Sequence, residues 1–321
     1  MRIARSIALD VVAVEEAPDP VPGPGEVVCR VLACGVCKSD VIPWYVERKL
    51  PAVLGHELTG EVLQVGEGVT GVGPGTQVVV HHHVPCGECR RCRRGHETLC
   101  ERFRASRLDP GGFAEQVRVP ADLTPELLGL DGLDPVAGTF VEPLACVLRS
   151  QDRAGLAPGD SLLVVGAGAN GLLQIAAAHA RAVDAVWVRE PRPERLRLAE
   201  AWGAEHHGNE PVDVAIVCTP LPEAIAAAVG ALAPGGTLCL YAPPDPGTAL
   251  PVGGEPLFMR ELTVTASYSA AAPDMRAALD LLRRGRIDPL GLVSHRVGLD
   301  GTGEALALAR SGEALKAVVL P

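Results

Sequence analysis

An α/β chain in two parts is predicted: a β-rich stretch up to about residue 146, then a parallel sheet covered by helices on both faces. Three observations carry this. Short Val-rich runs (VVAVEEA, EVVCRVLA, GEVLQVGEGV, TQVVVHHHV, FAEQVRVP) separated by Pro/Gly/Asp turns such as PDPVPGPGE fill the first part. From about residue 150, strand-like SLLVVG, AVWVRE, VDVAIVC, GTLCLY and LTVTAS alternate with helix-like GLLQIAAAHARA, PERLRLAEAWG and PEAIAAAVGALA. Apolar strands alternating with helices indicate strands buried on both sides. With 321 residues, each part is long enough to bury its own core.

Composition narrows the function. Apolar residues make up 47%, which excludes wholesale disorder, and aromatics only 3%, so the core is expected to be built from Ala, Val and Leu. A net charge of −10 argues against nucleic acid as a partner. The opening MRIARSIALDVVAVEE alternates like a strand and lacks an apolar h-region, so no export signal is expected. The most apolar segment, 161–180, is interrupted by three Gly, Asn170, Gln174 and His179, so no membrane span is expected. A cytoplasmic protein follows, whose ten cysteines are thiols or thiolates rather than disulfides.

CGECRRCRRGHETLC, residues 86–100, holds Cys86, Cys89, Cys92 and Cys100 in the spacing C-x2-C-x2-C-x7-C. Four thiolates in one loop can close a tetrahedron around Zn²⁺ and leave no open position, which predicts a structural site. An iron–sulfur cluster shares part of this spacing, and Arg90, Arg91, Arg93 and Arg94 could instead mark a zinc-braced nucleic-acid module. A solvated rim that offsets the negative tetrathiolate accounts for the arginines more simply.

A second set is spread over CGVCKSD (34–40), LGHELTGE (54–61) and FVEPLAC (140–146). Cys37 offers a thiolate, His56 an imidazole, Glu57 and Glu142 carboxylates. A mixed set of this kind, with one position left for water or substrate, is what catalytic zinc needs. Singly, each piece reads as packing or as a turn; they gain weight beside the next motif. That motif is G-x-G-x-x-G at Gly166, Gly168 and Gly171, directly after one predicted strand and opening a helix. Gly166 permits the tight turn, Gly168 the close approach of a pyrophosphate, and Gly171 helix–strand packing, with the helix N-terminus facing the phosphates. The following strand ends at Glu190, 19 residues past Gly171, where a carboxylate accepts ribose hydroxyls and favours NAD over NADP. Arg189, Arg192 and Arg195 crowd the same place and could hold a 2′-phosphate, so NADP stays open.

Taken together, GHELTGEV, the four-cysteine lobe, DPGGFAEQV, VEPL, VVGAGANG and the closing EALKAVVLP resemble, in order and over nearly the whole length, the zinc-containing medium-chain alcohol/polyol dehydrogenases. The resemblance implies a GroES-like catalytic domain at 1–146 with the zinc lobe at 86–100. A Rossmann dinucleotide-binding domain follows at 147–268, and 269–321 returns to the catalytic domain. It further implies that Cys37 and His56 are ligands of a catalytic zinc and that Glu57 is the third ligand or its close neighbour. Glu142 is similar to the glutamate of the sorbitol- and threonine-dehydrogenase branch. Ser39 matches the hydroxyl that takes up the substrate proton, Asp40 a supporting carboxylate, and Cys86, Cys89, Cys92 and Cys100 the structural zinc. Lys38 and Asn170 join the glycines, Glu190 and Arg195 among the cofactor-binding candidates. Relatives assemble as dimers or tetramers by joining Rossmann sheets edge to edge, so a homo-oligomer is expected.

Three departures stand out. Ile42 occupies the place of a relay histidine, so proton exit must use water or another group. Lys38 sits between the ligand and the relay hydroxyl. GAEHHGNEPVDVAIV is short between helix and strand, so one element of the nucleotide domain is expected to be pared down. His81, His82 and His83 lie in a strand-like run where alternation points His82 away from its neighbours; they are read as structural or cleft-lining. Trp44 and Tyr45 either line the cleft or pack in the core. The expected function is zinc-dependent hydride transfer between a small secondary alcohol or polyol and NAD(P). The rivals are a catalytically silent cofactor-binding protein and a zinc-independent reductase of the same fold.

Overall fold

The first part holds eight strands: β1 (Arg2–Ala8), β2 (Val11–Glu16), β3 (Val27–Gly35), β4 (Ala52–Val53), β5 (Glu57–Val65), β6 (Gln77–Val80), β7 (Gln116–Val119) and β8 (Leu128–Gly129), of which β2, β3, β5, β6 and β7 are the five valine runs. They appear in the computed structural model, which describes residues 1–321 and divides them into two compact units. Unit 1 comprises Met1–Pro143 and Ala271–Pro321; unit 2 comprises Leu144–Ala270.

Unit 2 carries β9 (Ser161–Val165), β10 (Ala185–Arg189), β11 (Glu205–His206), β12 (Val212–Val217), β13 (Leu232–Leu240) and β14 (Thr263–Ala266). All pair in parallel, in the order β11-β10-β9-β12-β13-β14. This is a doubly wound dinucleotide-binding sheet whose order reverses between β9 and β12, where such sheets bind ligands at the carboxyl ends of their strands. Burial of Leu162–Val165 and Val214–Val217 explains why these runs are almost uninterruptedly apolar. The polar interruptions of segment 161–180 have partners. Gln174 donates to Ser150 Oγ (2.7 Å) and accepts from Gln151 (3.0 Å), tying the helix Ala169–Ala180 to the helix Val141–Ala154. Between β11 and β12 only residues 207–211 intervene, with no helix, which is the pared-down element expected from sequence.

In unit 1 the chain after residue 271 adds β15 (Val293–Val297) and β16 (Lys316–Val319). The main sheet runs β15-β16-β3-β5-β6-β8, with β7 also on β3, and a smaller sheet runs β2-β1-β4. β3 is its centre, and Arg30, the one exposed side chain along it, pairs across the strands with Glu61 at 3.0 Å. The core is Val, Ala and Leu, as composition implied, with Phe113 among them. Of the chain's four Phe, Phe103, Phe113 and Phe140 are fully buried. The fourth, Phe258 in unit 2, is 79% exposed.

Candidate metal and cofactor sites

In unit 1, the ends of β3 and β5 set the first site. Glu57 opens β5 directly opposite Gly35 at the close of β3, so Cys37 and His56, just beyond the paired residues, approach one another. The ligand atoms of Cys37, His56 and Glu57 all lie within 4.8 Å of each other, as do those of His56, His82 and Glu142. Glu142 enters from the first turn of the helix Val141–Ala154. Asp40 is held by the Cys37 N–H (3.1 Å) and faces His56 Nδ1 at 3.4 Å, which orients the imidazole.

Electrostatics show what this cluster needs. Burial, followed by the Glu57 carboxylate, raises the Cys37 thiol. Burial alone would lower His56, but Asp40 and then Cys37 outweigh it and hold the imidazole well above its ordinary value. Asp40 is likewise lowered despite burial, because His56 faces it. Both shifts run towards the protonated forms of thiol and imidazole. A divalent ion among them displaces both protons, and the soft–borderline set of one sulfur, one nitrogen and carboxylate oxygen suits Zn²⁺.

Sequence reasoning passed over Lys316. It opens β16, is 6% exposed, and pairs with Glu57, which is 1% exposed. Its Nζ also sits 5.6 Å from the centre of the Phe140 ring. Burial would lower the ammonium, yet Glu57, then Cys37 and Glu142, raise it overall. Gly35 makes room for the pair: a Cβ there would collide with the Glu57 carboxylate and come within 3.0 Å of Lys316 Cε. The signal was a lysine inside an otherwise apolar strand run, KAVV. Lys316→Met leaves Glu57 buried and uncompensated. It is expected to cost about 3–5 kcal/mol in urea unfolding, and Lys316→Met with Glu57→Gln to recover most of it. Equal losses in the single and double variants would contradict this.

The four-cysteine lobe fits its ion closely. Sγ–Sγ separations are 3.5 Å (Cys89–Cys92), 3.5 Å (Cys100–Cys86) and 3.9 Å (Cys86–Cys92). A zinc tetrahedron with bonds of about 2.3 Å has edges of about 3.8 Å. The Cys86 N–H points at Cys100 Sγ (3.4 Å) and the Cys89 N–H at Cys86 Sγ (3.3 Å). Burial opposes ionisation of Cys100, but donors from the backbone of Cys86 and Phe103 bring its thiol down to about 6.

In unit 2 the glycine turn follows β9 as expected. Gly166 has φ +98°, a conformation that favours glycine, and a Cβ on Gly171 would run into the Gly166 carbonyl. Gly168 caps the helix Ala169–Ala180, with Asn170 in its first turn. Glu190 bonds to the backbone N–H of Ala167 (2.7 Å) and of Arg192 (3.0 Å), which places its carboxylate at the turn itself. Arg195 reaches the same turn, its Nη1 3.4 Å from where a Cβ on Gly168 would stand. Arg189 is committed elsewhere, to the carbonyl of Ala227 at 3.0 Å.

The remaining candidates are placed as follows. Ser39 is half-buried on the turn Lys38–Val41, two residues past Cys37. Lys38 Nζ donates to the carbonyls of Ala309 (3.0 Å) and Arg310 (3.2 Å) in the last turn of the helix Thr302–Ser311, where a cation is favoured. Trp44 and Tyr45 meet edge to face at 5.7 Å, and Tyr45 packs against the core. The strand expected to carry the histidine triplet stops at Val80. The His82 ring lies 4.7 Å from that of His56 and 4.0 Å from that of its neighbour His83, while His81 and His83 lie 6.2 and 4.6 Å from Phe103, so the expected separation of His82 from both neighbours is not seen.

Residues 23–128 match the alcohol dehydrogenase GroES-like domain, and residues 169–284 match the zinc-binding dehydrogenase domain. L-threonine 3-dehydrogenase of Pyrococcus abyssi is 32% identical over 95% of this chain and 94% of that protein. Sorbitol dehydrogenase of Bacillus subtilis is 28% identical over 97% and 94%. The solved alcohol dehydrogenase of Thermus sp. ATN1 superposes with a TM-score of 0.88 at 29% identity, covering 100% of this chain and 99% of that one. None of the helices is long and apolar enough to cross a membrane. Fold, motifs and relatives agree, and exclude the silent and zinc-independent readings: the chain belongs to the zinc-containing medium-chain alcohol/polyol dehydrogenases, as an oxidoreductase that works with NAD(P) on a small-molecule alcohol.

Proposed function

We propose that the protein reversibly oxidises a secondary alcohol or polyol, with NAD preferred to NADP. The observation that carries this is the convergence of Cys37, His56 and Glu57 within 4.8 Å, with Glu142 in a second such group that shares His56. These residues would hold the catalytic zinc, and Cys86, Cys89, Cys92 and Cys100 the structural one. When bound, the catalytic ion supplies the positive charge that acidifies a substrate hydroxyl, and the dinucleotide supplies the hydride acceptor. Ser39 passes the hydroxyl proton on, giving up its own as it receives the substrate's, and with Ile42 beyond it the onward route is water or another group. Asp40 keeps His56 in one orientation through the reaction, its own carboxylate fixed by the Cys37 N–H. In the cofactor domain the glycine turn and the helix N-terminus at Ala169 receive the pyrophosphate. Glu190, already at that turn, accepts the ribose hydroxyls and repels a 2′-phosphate.

The test is reduction of NAD and of NADP by metal-loaded protein over a panel of secondary alcohols, diols and sugar alcohols. Turnover with NAD at clearly higher kcat/KM is expected, and Glu190→Ser should narrow the gap. A large preference for NADP would overturn the role given to Glu190, and no turnover across the panel the substrate class.

A second copy of the chain is the proposed partner. β14 is the edge of the parallel sheet, with mostly exposed side chains, and beside it lie Phe258 (79% exposed) and Met259 (68% exposed). An unpaired edge flanked by large apolar side chains is a template for sheet extension. Sedimentation should show a dimer or tetramer that Phe258→Asp with Met259→Lys reduces to smaller species. A wild-type monomer would refute this. Ten cysteines, none of them in a disulfide, suit a cytoplasmic location, which we propose as well.

A further inference from the structure

The antiparallel register of unit 1 sets a second imidazole against the first. Leu58 pairs with Val80, so continuing two residues past the paired ends places His56 opposite His82. Their rings accordingly lie 4.7 Å apart. The ring nitrogens of His56 and His82 and a carboxylate oxygen of Glu142 come within 4.8 Å of one another, a group as tight as that of Cys37, His56 and Glu57. Nδ1 of His82 is buried and makes no hydrogen bond. Its neighbour His83, by contrast, has Nδ1 on the Ser106 carbonyl at 2.9 Å. A buried imidazole nitrogen without a partner costs free energy that ligation removes. Glu57, meanwhile, is already engaged by Lys316.

We propose that His82 is a ligand of the catalytic ion, so that the ion is held by two imidazoles, His56 and His82, together with carboxylate and thiolate. This rests on the reading that the ion sits at His56. It goes beyond that reading by adding a residue from the segment after β6, next to the four-cysteine lobe in sequence.

Cadmium-113 substitution in protein carrying nitrogen-15 histidine decides the matter, because coupling between metal and ring nitrogen counts the bound imidazoles directly. The four-thiolate site contributes no nitrogen and serves as an internal check that each variant is folded. Two histidine couplings to one cadmium are expected in the wild type, one in His82→Phe and in His82→Gln, and two in His83→Asn. His82→Phe should also weaken retention of that ion by at least about 10–100-fold, the loss that groups merely supporting a ligand already cause. A single coupling in the wild type, lost only on changing His56, overturns the role of His82 and leaves the site at His56 standing. No histidine coupling at all, with the four-thiolate resonance intact, overturns both.

Discussion

Cys37→Ser is expected to lower bound zinc from two ions per chain to one and to reduce kcat/KM for the alcohol by about a thousandfold or more. The size follows from what the ion contributes. Charge stabilisation by a bound metal is worth several kcal/mol in the transition state, and each 1.36 kcal/mol is a factor of ten. Serine keeps the volume of Cys37 but is a poor ligand for a borderline-soft ion, so unit 1 should still fold. His56→Ala should give a similar loss, and the two losses should not add, since either one empties the same site. Metal analysis and steady-state kinetics on the same preparation check both. Full activity in Cys37→Ser would end the assignment of this residue as a ligand.

The second large effect concerns the four-cysteine lobe. Stripping its ion, with a chelator or through Cys92→Ala, is expected to unfold residues 86–105 while the sheets persist. The lobe's own buried core consists of Phe103 with Cys92 and Cys100. Burying one large aromatic contributes about 1.5–3 kcal/mol, whereas ordering each residue's backbone costs about 1–2 kcal/mol. Twenty residues cannot stay ordered on that core alone, and binding of the ion, worth an apparent ~10–16 kcal/mol in structural zinc sites, is the largest stabilising contribution open to the lobe. Arg90, Arg91, Arg93 and Arg94 make the outcome easy to read. Trypsin should cut this stretch quickly in the stripped protein and slowly in the loaded one. Equal protection with no metal present would show that the lobe stands without an ion.

How far the sequence could be read depended on whether a feature was local. The glycine turn, Glu190 at the end of its strand and the four-cysteine spacing are encoded within about 25 residues, and the structure brings each set together. The Val-rich runs and the missing helix before β12 were legible for the same reason. What escaped was anything fixed by pairing between distant segments. Lys316 meets Glu57 only because β16 lies against β3, and His82 faces His56 only through the register of β5 with β6. The strand expected to run through the histidines ends at Val80, because side-chain alternation carries no information on where backbone pairing with β5 stops. The alternation also set His82 apart from its neighbours, yet its ring stays 4.0 Å from that of His83 while reaching His56 at 4.7 Å.

The Lys316–Glu57 pair spans 259 residues of sequence, and the whole of unit 2 is made between its two halves. During synthesis the nucleotide unit, one unbroken stretch, emerges and can settle early. The glutamate beside the catalytic cluster waits with its charge unanswered until the last strand arrives. The ion pair beside the catalytic cluster is therefore completed only when the last strand of unit 1 is in place, after every candidate ligand of the ion has been made.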